Sequence, residues 1–341
     1  MELLRLVFAL RTCGEKPSSV FLSIYESGSQ DATPLKLDLL AAKLRKLGVP
    51  HRIVTRGKWT RSTIKPRIQH LAKVRNAVLQ PLYQQPSYTY TQIIFLNDVL
   101  FCTEDVLTLV QSQVQTKALL HCGLDFAVSS THKVHFYDVW VMRDHGGRQF
   151  HLPFIYPWFN PNDKQSISQV LRGDYRIPAF CCWNGLAILS TRPFYEFNYR
   201  FRSGQYEIQR GLCDACEISH LCADWWALYG NQTRIFVNPS VHVAYESSAF
   251  ETIQETHWFN QSMIKQSQFQ KQLTTGTIPE QQSVRVPADW ECVPTALALK
   301  LLFQATLTQI RVIDKSKASK RNYIRNLLAF SEEWHNDSQL V

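Results

Sequence analysis

The sequence predicts an α/β fold built on a largely parallel sheet. Three observations carry this. Short apolar runs rich in β-branched residues alternate with amphipathic helical stretches between Val20 and Val128. The helical stretches begin and end on residues that suit helix termini. Polar and acidic residues fall directly after the strand runs, where open α/β sheets bind ligands beyond the carboxyl ends of their strands.

Val20–Tyr25 reads as a buried strand that ends in the polar turn Glu26-Ser27-Gly28-Ser29. Thr33-Pro34 then offers a cap followed by proline in the first helical turn, and Leu37, Leu40, Leu44 and Leu47 recur at three- and four-residue spacing up to Gly48. His51–Thr55 is a short strand, and Lys65–Tyr83 a second amphipathic helix that carries Arg75 and Asn76. Gln92–Asn97 is a strong strand, followed by Asp98. Thr103 can cap a helix reaching Val114, with Glu104 and Asp105 in its electropositive first turn. Ala118–Val128 is the next strand, and Arg234–Tyr245 resumes strand character further on. Between them, from Ser129 to about Arg176, the pattern loosens into aromatic, Gly- and Pro-rich sequence that suits long loops. Beyond about Phe250 a Gln- and Ser-rich linker leads to a helical stretch, Trp290–Ile313, and to a basic tail holding Lys315, Lys317, Lys320, Arg321 and Arg325. The expected organisation is one catalytic domain over 1–250, then a linker and helical extension over 251–341.

Apolar residues make up 45% of the chain, enough for a sizeable core and incompatible with a disordered protein. The net charge of +9 favours anionic partners such as a diphosphate. No nucleic-acid-binding motif accompanies it, so nucleic acid is not an expected partner. Neither apolar stretch near the ends suits a membrane span: Met1–Leu10 carries Glu2 and Arg5, and Thr295–Leu307 is interrupted by Lys300. Nine cysteines admit disulfides or buried thiols; Cys213, Cys216, Cys222 and His220 are also spaced for a zinc site. Sequons at Asn231, Asn260 and Asn336 add weak support for a lumenal protein.

Several residues could carry chemistry. Asp98, just after a buried strand, could hold a divalent cation against a diphosphate, or merely cap a turn. Asp125 ends a strand and Asp138 lies among aromatics in Phe136–Asp144, a setting that suits sugar binding as well as an aromatic core strand. Cys181–Gly185 gathers Trp183, Asn184 and a glycine, as a pocket wall or a tight turn. Glu217 and Asp224 are two helical turns apart, so a helix would place both on one face.

Taken in order, these segments resemble the fungal capsule-associated mannosyltransferases, the family of the cryptococcal α-1,3-mannosyltransferase. The matching pieces are Ser23–Ser29, Arg75-Asn76, Phe95–Phe101, the segment around Asp125, Phe136–Asp144, Cys182–Gly185 and Cys216–Trp226, within roughly residues 1–250. The resemblance implies a GT-A-like, Rossmann-type mixed sheet flanked by helices. It implies a metal-dependent retaining glycosyltransferase that moves mannose from a GDP-mannose-type donor to a glycan, in α-1,3 linkage, with Mn2+ as the cation. A degenerate, non-catalytic homologue that binds a glycan or a partner is the alternative. By residue, Asp98 matches the metal acid. Glu26, Ser27, Arg75 and Asn76 match the donor side. Asp125, Asp138, Arg143, Trp183 and Asn184 match the sugar and acceptor pocket, and Glu217 and Asp224 the catalytic acids. Two positions depart from the family pattern: Ile218 replaces a cysteine after Glu217, and Cys181 replaces a serine. In the family a membrane anchor and a first nucleotide-binding strand precede a helix like Glu2–Leu10, with which this chain opens. The resemblance therefore implies an amino-terminally truncated chain lacking that strand and anchor, and a Golgi or secretory-pathway membrane location with a lumenal catalytic domain for the full-length form.

Overall fold

The computed structural model describes residues 2–13, 20–59, 67–85, 89–129, 133–150, 159–160, 162–204 and 215–255. The expected linker beyond residue 255, the helix Trp290–Ile313, the basic tail, Cys213, Cys292 and the sequons at Asn260 and Asn336 lie outside the described residues.

The elements run α1 (Glu2–Cys13), β1 (Leu22–Tyr25), α2 (Thr33–Lys46), β2 (His51–Val54), α3 (Arg67–Gln84), β3 (Gln92–Leu96), α4 (Thr103–Thr116), β4 (Leu120–Val128), β5 (Val134–Phe136) and β6 (Arg143–Asp144). They continue with α5 (Lys164–Arg172), β7 (Ile177–Cys181), β8 (Leu186–Ser190), α6 (Arg192–Glu196), α7 (Glu217–Tyr229), β9 (Ile235–Ala244) and α8 (Ser247–Glu255). This is the α/β alternation that the sequence predicts, with helices flanking a mixed sheet.

The main sheet has seven strands in the order β3-β8-β4-β9-β7-β6, with β5 paired to β4. Only β4 and β9 run parallel within it; β8 runs antiparallel to both neighbours. The sheet is thus less parallel than the βαβ alternation suggests, because β8 enters between β3 and β4 from the turn at Asn184-Gly185. A second, two-stranded sheet pairs β1 with β2 in parallel. Among the described residues, neither the free edge of β1 nor that of β3 is paired with another strand.

Helix α1 covers both sheets. Leu6 packs with Val106, Leu109, Ile188 and Val243, while Val7 packs with Leu44 and Val49. The helix termini differ in detail from the sequence expectation. The N-cap of α2 is Ala32, and Asp31 accepts the amide of Thr33 at 2.9 Å. At α4 the carboxylate of Glu2, from α1, accepts both the amide (3.2 Å) and the hydroxyl (2.8 Å) of Thr103. Within 129–176, expected to be loops, the described residues form β5, β6 and α5. Asp163 caps α5 by accepting the Ser166 amide at 3.0 Å, and Gly173 closes it at φ +78°.

Two disulfides, Cys122–Cys182 and Cys181–Cys222, tie adjacent residues at the end of β7 to β4 and to α7. With Cys222 so engaged, the zinc reading fails for the described cysteines. Cys216 is buried beside the Ser219 hydroxyl, and the described residues contain no group of three His, Cys, Asp or Glu that could hold a metal.

Candidate active site

The carboxyl ends of β3, β4 and β9 converge on one polar pocket. Asn97 and Asp98 follow β3, Asp125 lies in β4, and Tyr245 follows β9. The turn between β7 and β8 brings Asn184 to the same place, held by the disulfides on Cys181 and Cys182. Asn184 and Gly185 both adopt left-handed backbone, φ +53° and +69°. A side chain at Gly185 would meet Val99 at 2.9 Å and Asp125 at 3.3 Å, so the turn can approach Asp125 only as glycine.

Asp125 and Asp138 form a coupled acid pair. The Asp138 amide donates to Asp125 Oδ1 at 3.1 Å, and the Tyr245 hydroxyl donates to Asp125 Oδ2 at 3.1 Å. Asp138 in turn accepts the amides of Asn184 (3.2 Å) and Val141 (3.3 Å). Burial, with the Asp138 charge second, holds the Asp125 carboxyl well above the usual carboxylate range. Asp138 is also pushed up by burial, against the pull of the two amides and of Arg75 and Arg143. Asp125 is fully enclosed, whereas Asp138 is half-buried and reachable from the pocket.

Arg75 and Glu217 form the second feature. Arg75 Nε donates to Glu217 Oε1 at 2.9 Å, and both side chains are largely buried. The Arg75 guanidinium lies 4.5 Å from the Trp183 ring centre and 5.2 Å from that of Phe95. Asn97 Oδ1 accepts from Trp183 Nε1 at 3.2 Å and from Arg75 at 3.5 Å. Glu217 begins α7, whose N-cap Cys216 accepts the Ser219 amide. Glu217 Oε2 is buried and has no hydrogen-bond partner among the described residues. A buried carboxylate oxygen without a partner is costly, and a ligand hydroxyl would satisfy it.

The remaining sequence candidates occupy different places. Asp98 is exposed and makes no hydrogen bond or ion pair among the described residues. It offers a hard oxygen ligand, which fits Mn2+ shared with a diphosphate and water rather than a site made wholly of protein ligands. Glu26 binds the amide of Ser29 and, at 2.7 Å, that of Arg56, so it orders the loop around Ser27. These amides, Ser29 first, hold its carboxyl below the usual range. Asn76 clamps the backbone of Phe201 through both ends of its amide, at 2.7 and 2.8 Å. Arg143 is buried and donates to the Met142 carbonyl at 2.8 Å. Asp224 is enclosed by Arg202, at 2.7 and 3.0 Å, and by the Tyr199 hydroxyl at 3.0 Å. It therefore stands in a buried ion-pair network with Arg202, whereas Glu217, equally buried, pairs with Arg75 beside Trp183 and Asn97, although both acids lie on α7.

Tyr245 is a residue of this site that the sequence reading does not single out, although it ends the strand run Arg234–Tyr245; Asn97 is picked out with Asp98 only by its place at a strand end. Arg202 and Tyr199 sit in irregular chain with no periodic signal.

Residues 2–224 match the family model described as cryptococcal mannosyltransferase 1. The chain is 30% identical over 261 residues to alpha-1,3-mannosyltransferase CMT1 of Cryptococcus neoformans. That match covers 70% of this chain and 53% of the relative, so the chain spans about half the length of the curated relative it matches.

Proposed function

We propose, for a chain that belongs to the cryptococcal mannosyltransferase 1 family, the transfer of mannose from a GDP-mannose-type donor to a glycan hydroxyl. The observation that carries the reading is the pocket itself. Asp98 is exposed and unpaired among the described residues, Asp125 and Asp138 are joined through the Asp138 amide, and Glu217 is held by Arg75 with its second oxygen unpartnered among those residues.

In this reading the bond from the anomeric carbon to the diphosphate oxygen breaks with its electrons leaving on GDP, the acceptor oxygen bonds to that carbon, and the acceptor hydroxyl's proton passes to a phosphate oxygen of the departing GDP. A divalent cation, Mn2+ in our proposal, supplies charge neutralisation for that leaving diphosphate. Asp98 is the residue that would hold it. Glu217, fixed in angle by Arg75, places its free oxygen against the bound sugar, where positive charge develops. Asp138 accepts a sugar hydroxyl, oriented by the Asn184 amide. Asp125, Tyr245 and Asn97 hold these groups in register. The relative's α-1,3 specificity supports the same linkage here, with retention; attack then comes from the leaving-group face or through a covalent intermediate. The two disulfides, and Asn231 exposed after α7, suit an oxidising compartment, which supports a Golgi or secretory-pathway membrane location for the full-length form.

The test is GDP release from GDP-mannose by the purified chain, with and without Mn2+. Release that depends on Mn2+ and rises with a mannoside acceptor supports the reading. Donor binding without release supports a non-catalytic homologue instead.

A further inference from the structure

At the rim of the pocket one aromatic ring stands in the open. Tyr137 is 45% exposed, whereas Phe136 before it and Asp125, which its amide binds, are buried. The position of its ring is determined. The Tyr137 amide donates to the Asp125 carbonyl at 2.9 Å, and the next amide, that of Asp138, is bound to the Asp125 carboxylate. Tyr245 braces the ring, with centres 4.5 Å apart and planes tilted by 52°. Tyr245 is itself tied to Asp125 through its hydroxyl. Charge flanks the ring with both signs. Burial raises the phenol, Arg67 lowers it, and Asp138, Asp125 and Asp98 raise it, so a guanidinium and carboxylates lie in the neighbourhood of the ring. Arg67 is anchored over the Trp140 ring at 6.0 Å.

We propose that Tyr137, braced by Tyr245, is an acceptor subsite on which one pyranose ring of the glycan stacks. An exposed ring with its back supported offers one open face, which receives the C–H face of a single sugar. A carboxylate acceptor and a guanidinium donor at the edges serve hydroxyls arrayed around a pyranose, whereas a purine presents its polar atoms mainly along its edges in a fixed pattern. The transferred sugar belongs deeper, at the free oxygen of Glu217. The open rim is the part that a long glycan reaches from solvent. The proposal rests on the mannosyltransferase reading of the pocket and names the place of its acceptor.

The test is equilibrium binding of an α-linked mannobiose to the full chain by ligand-observed NMR, alongside GDP binding. On the parent protein, protons on one face of one mannose ring shift upfield through the ring current. Tyr137→Ala weakens mannobiose binding on the order of 3- to 10-fold, Tyr137→Phe and Tyr137→Trp stay within about twofold of the parent, and GDP affinity does not change. The upfield shift is read on the parent and needs no variant, so it decides the matter even where Tyr137→Ala fails to fold. No upfield shift, mannobiose binding unaltered in a folded Tyr137→Ala, or a loss confined to GDP each overturns the proposal. Tyr137-dependent mannobiose binding in a chain that never releases GDP from GDP-mannose upholds the subsite and overturns the transferase reading alone.

Discussion

Arg75 and Glu217 meet at 2.9 Å although 142 positions separate them in the chain. Their ion pair joins α3 to the first turn of α7 and fixes one oxygen of the carboxylate while the other stays free. The guanidinium is walled by Phe95, Trp183 and Phe201, so it faces rings and Glu217 rather than open solvent. Arg75 thus joins Glu217 to Asn97, at the end of β3, and holds both in place.

Asp98→Asn is expected to abolish the part of GDP-mannose affinity that depends on Mn2+. Asp98 is exposed and unpaired among the described residues, so the fold has little to lose. Calorimetric titrations with and without Mn2+ check this. The thermal melt should be unchanged, and an Mn2+-dependent affinity equal to that of the parent would remove Asp98 from the cation site.

Asp224→Asn should cost stability first. The change leaves the Arg202 guanidinium buried beside an uncharged partner, and breaking one side of a buried pair costs roughly 3–5 kcal/mol. Denaturant unfolding measures the loss. Turnover per folded molecule should stay within a few-fold of the parent, since Asp224 spends its oxygens on Arg202 and Tyr199.

Asp105 gives the chain a pH dependence of its own. Burial, with the Glu104 charge second, pushes its carboxyl up to about 7, against about 4 for an ordinary aspartate. The native state therefore binds this proton more tightly than the unfolded chain. The associated stability is fully present below about pH 4 and is lost as pH rises through about 7. Asp105→Asn should gain stability relative to the parent at pH 8, with the gain vanishing near pH 4. Urea midpoints at the two pH values decide it, and a difference independent of pH would contradict the assignment.

Much of this arrangement was legible before the structure. The strand end followed by Asp98 and the strand holding Asp125 follow from apolar runs, but the structure places Asp125 inside β4 rather than at its end. The cap residues of α5, Asp163 and Gly173, were also there to be read. The helix they bound is only nine residues long, too short to stand out within the aromatic, Gly- and Pro-rich sequence around it. The role of Asp224 was not legible. Its partner Arg202 lies in irregular chain, and only tertiary packing brings the two together. Likewise, nothing in the spacing of Cys181, Cys182 and Cys222 separates a disulfide from a metal site; the pairing depends on β7 lying against α7. Tyr137 was hidden for the opposite reason. It sits inside an aromatic run, and sequence alone does not say which ring remains exposed.

The most direct test of the account is turnover by Glu217→Gln, measured as GDP release from saturating GDP-mannose with Mn2+ and a mannoside acceptor. Gln keeps the size of the side chain and can still accept the Arg75 hydrogen bond, but it removes the charge from the free oxygen. The account predicts a kcat lowered about 100-fold or more, a KM changed only a few-fold, and a protein that remains folded. A kcat within about twofold of the parent would show that the free oxygen of Glu217 takes no part in the chemical step, and would contradict the central claim.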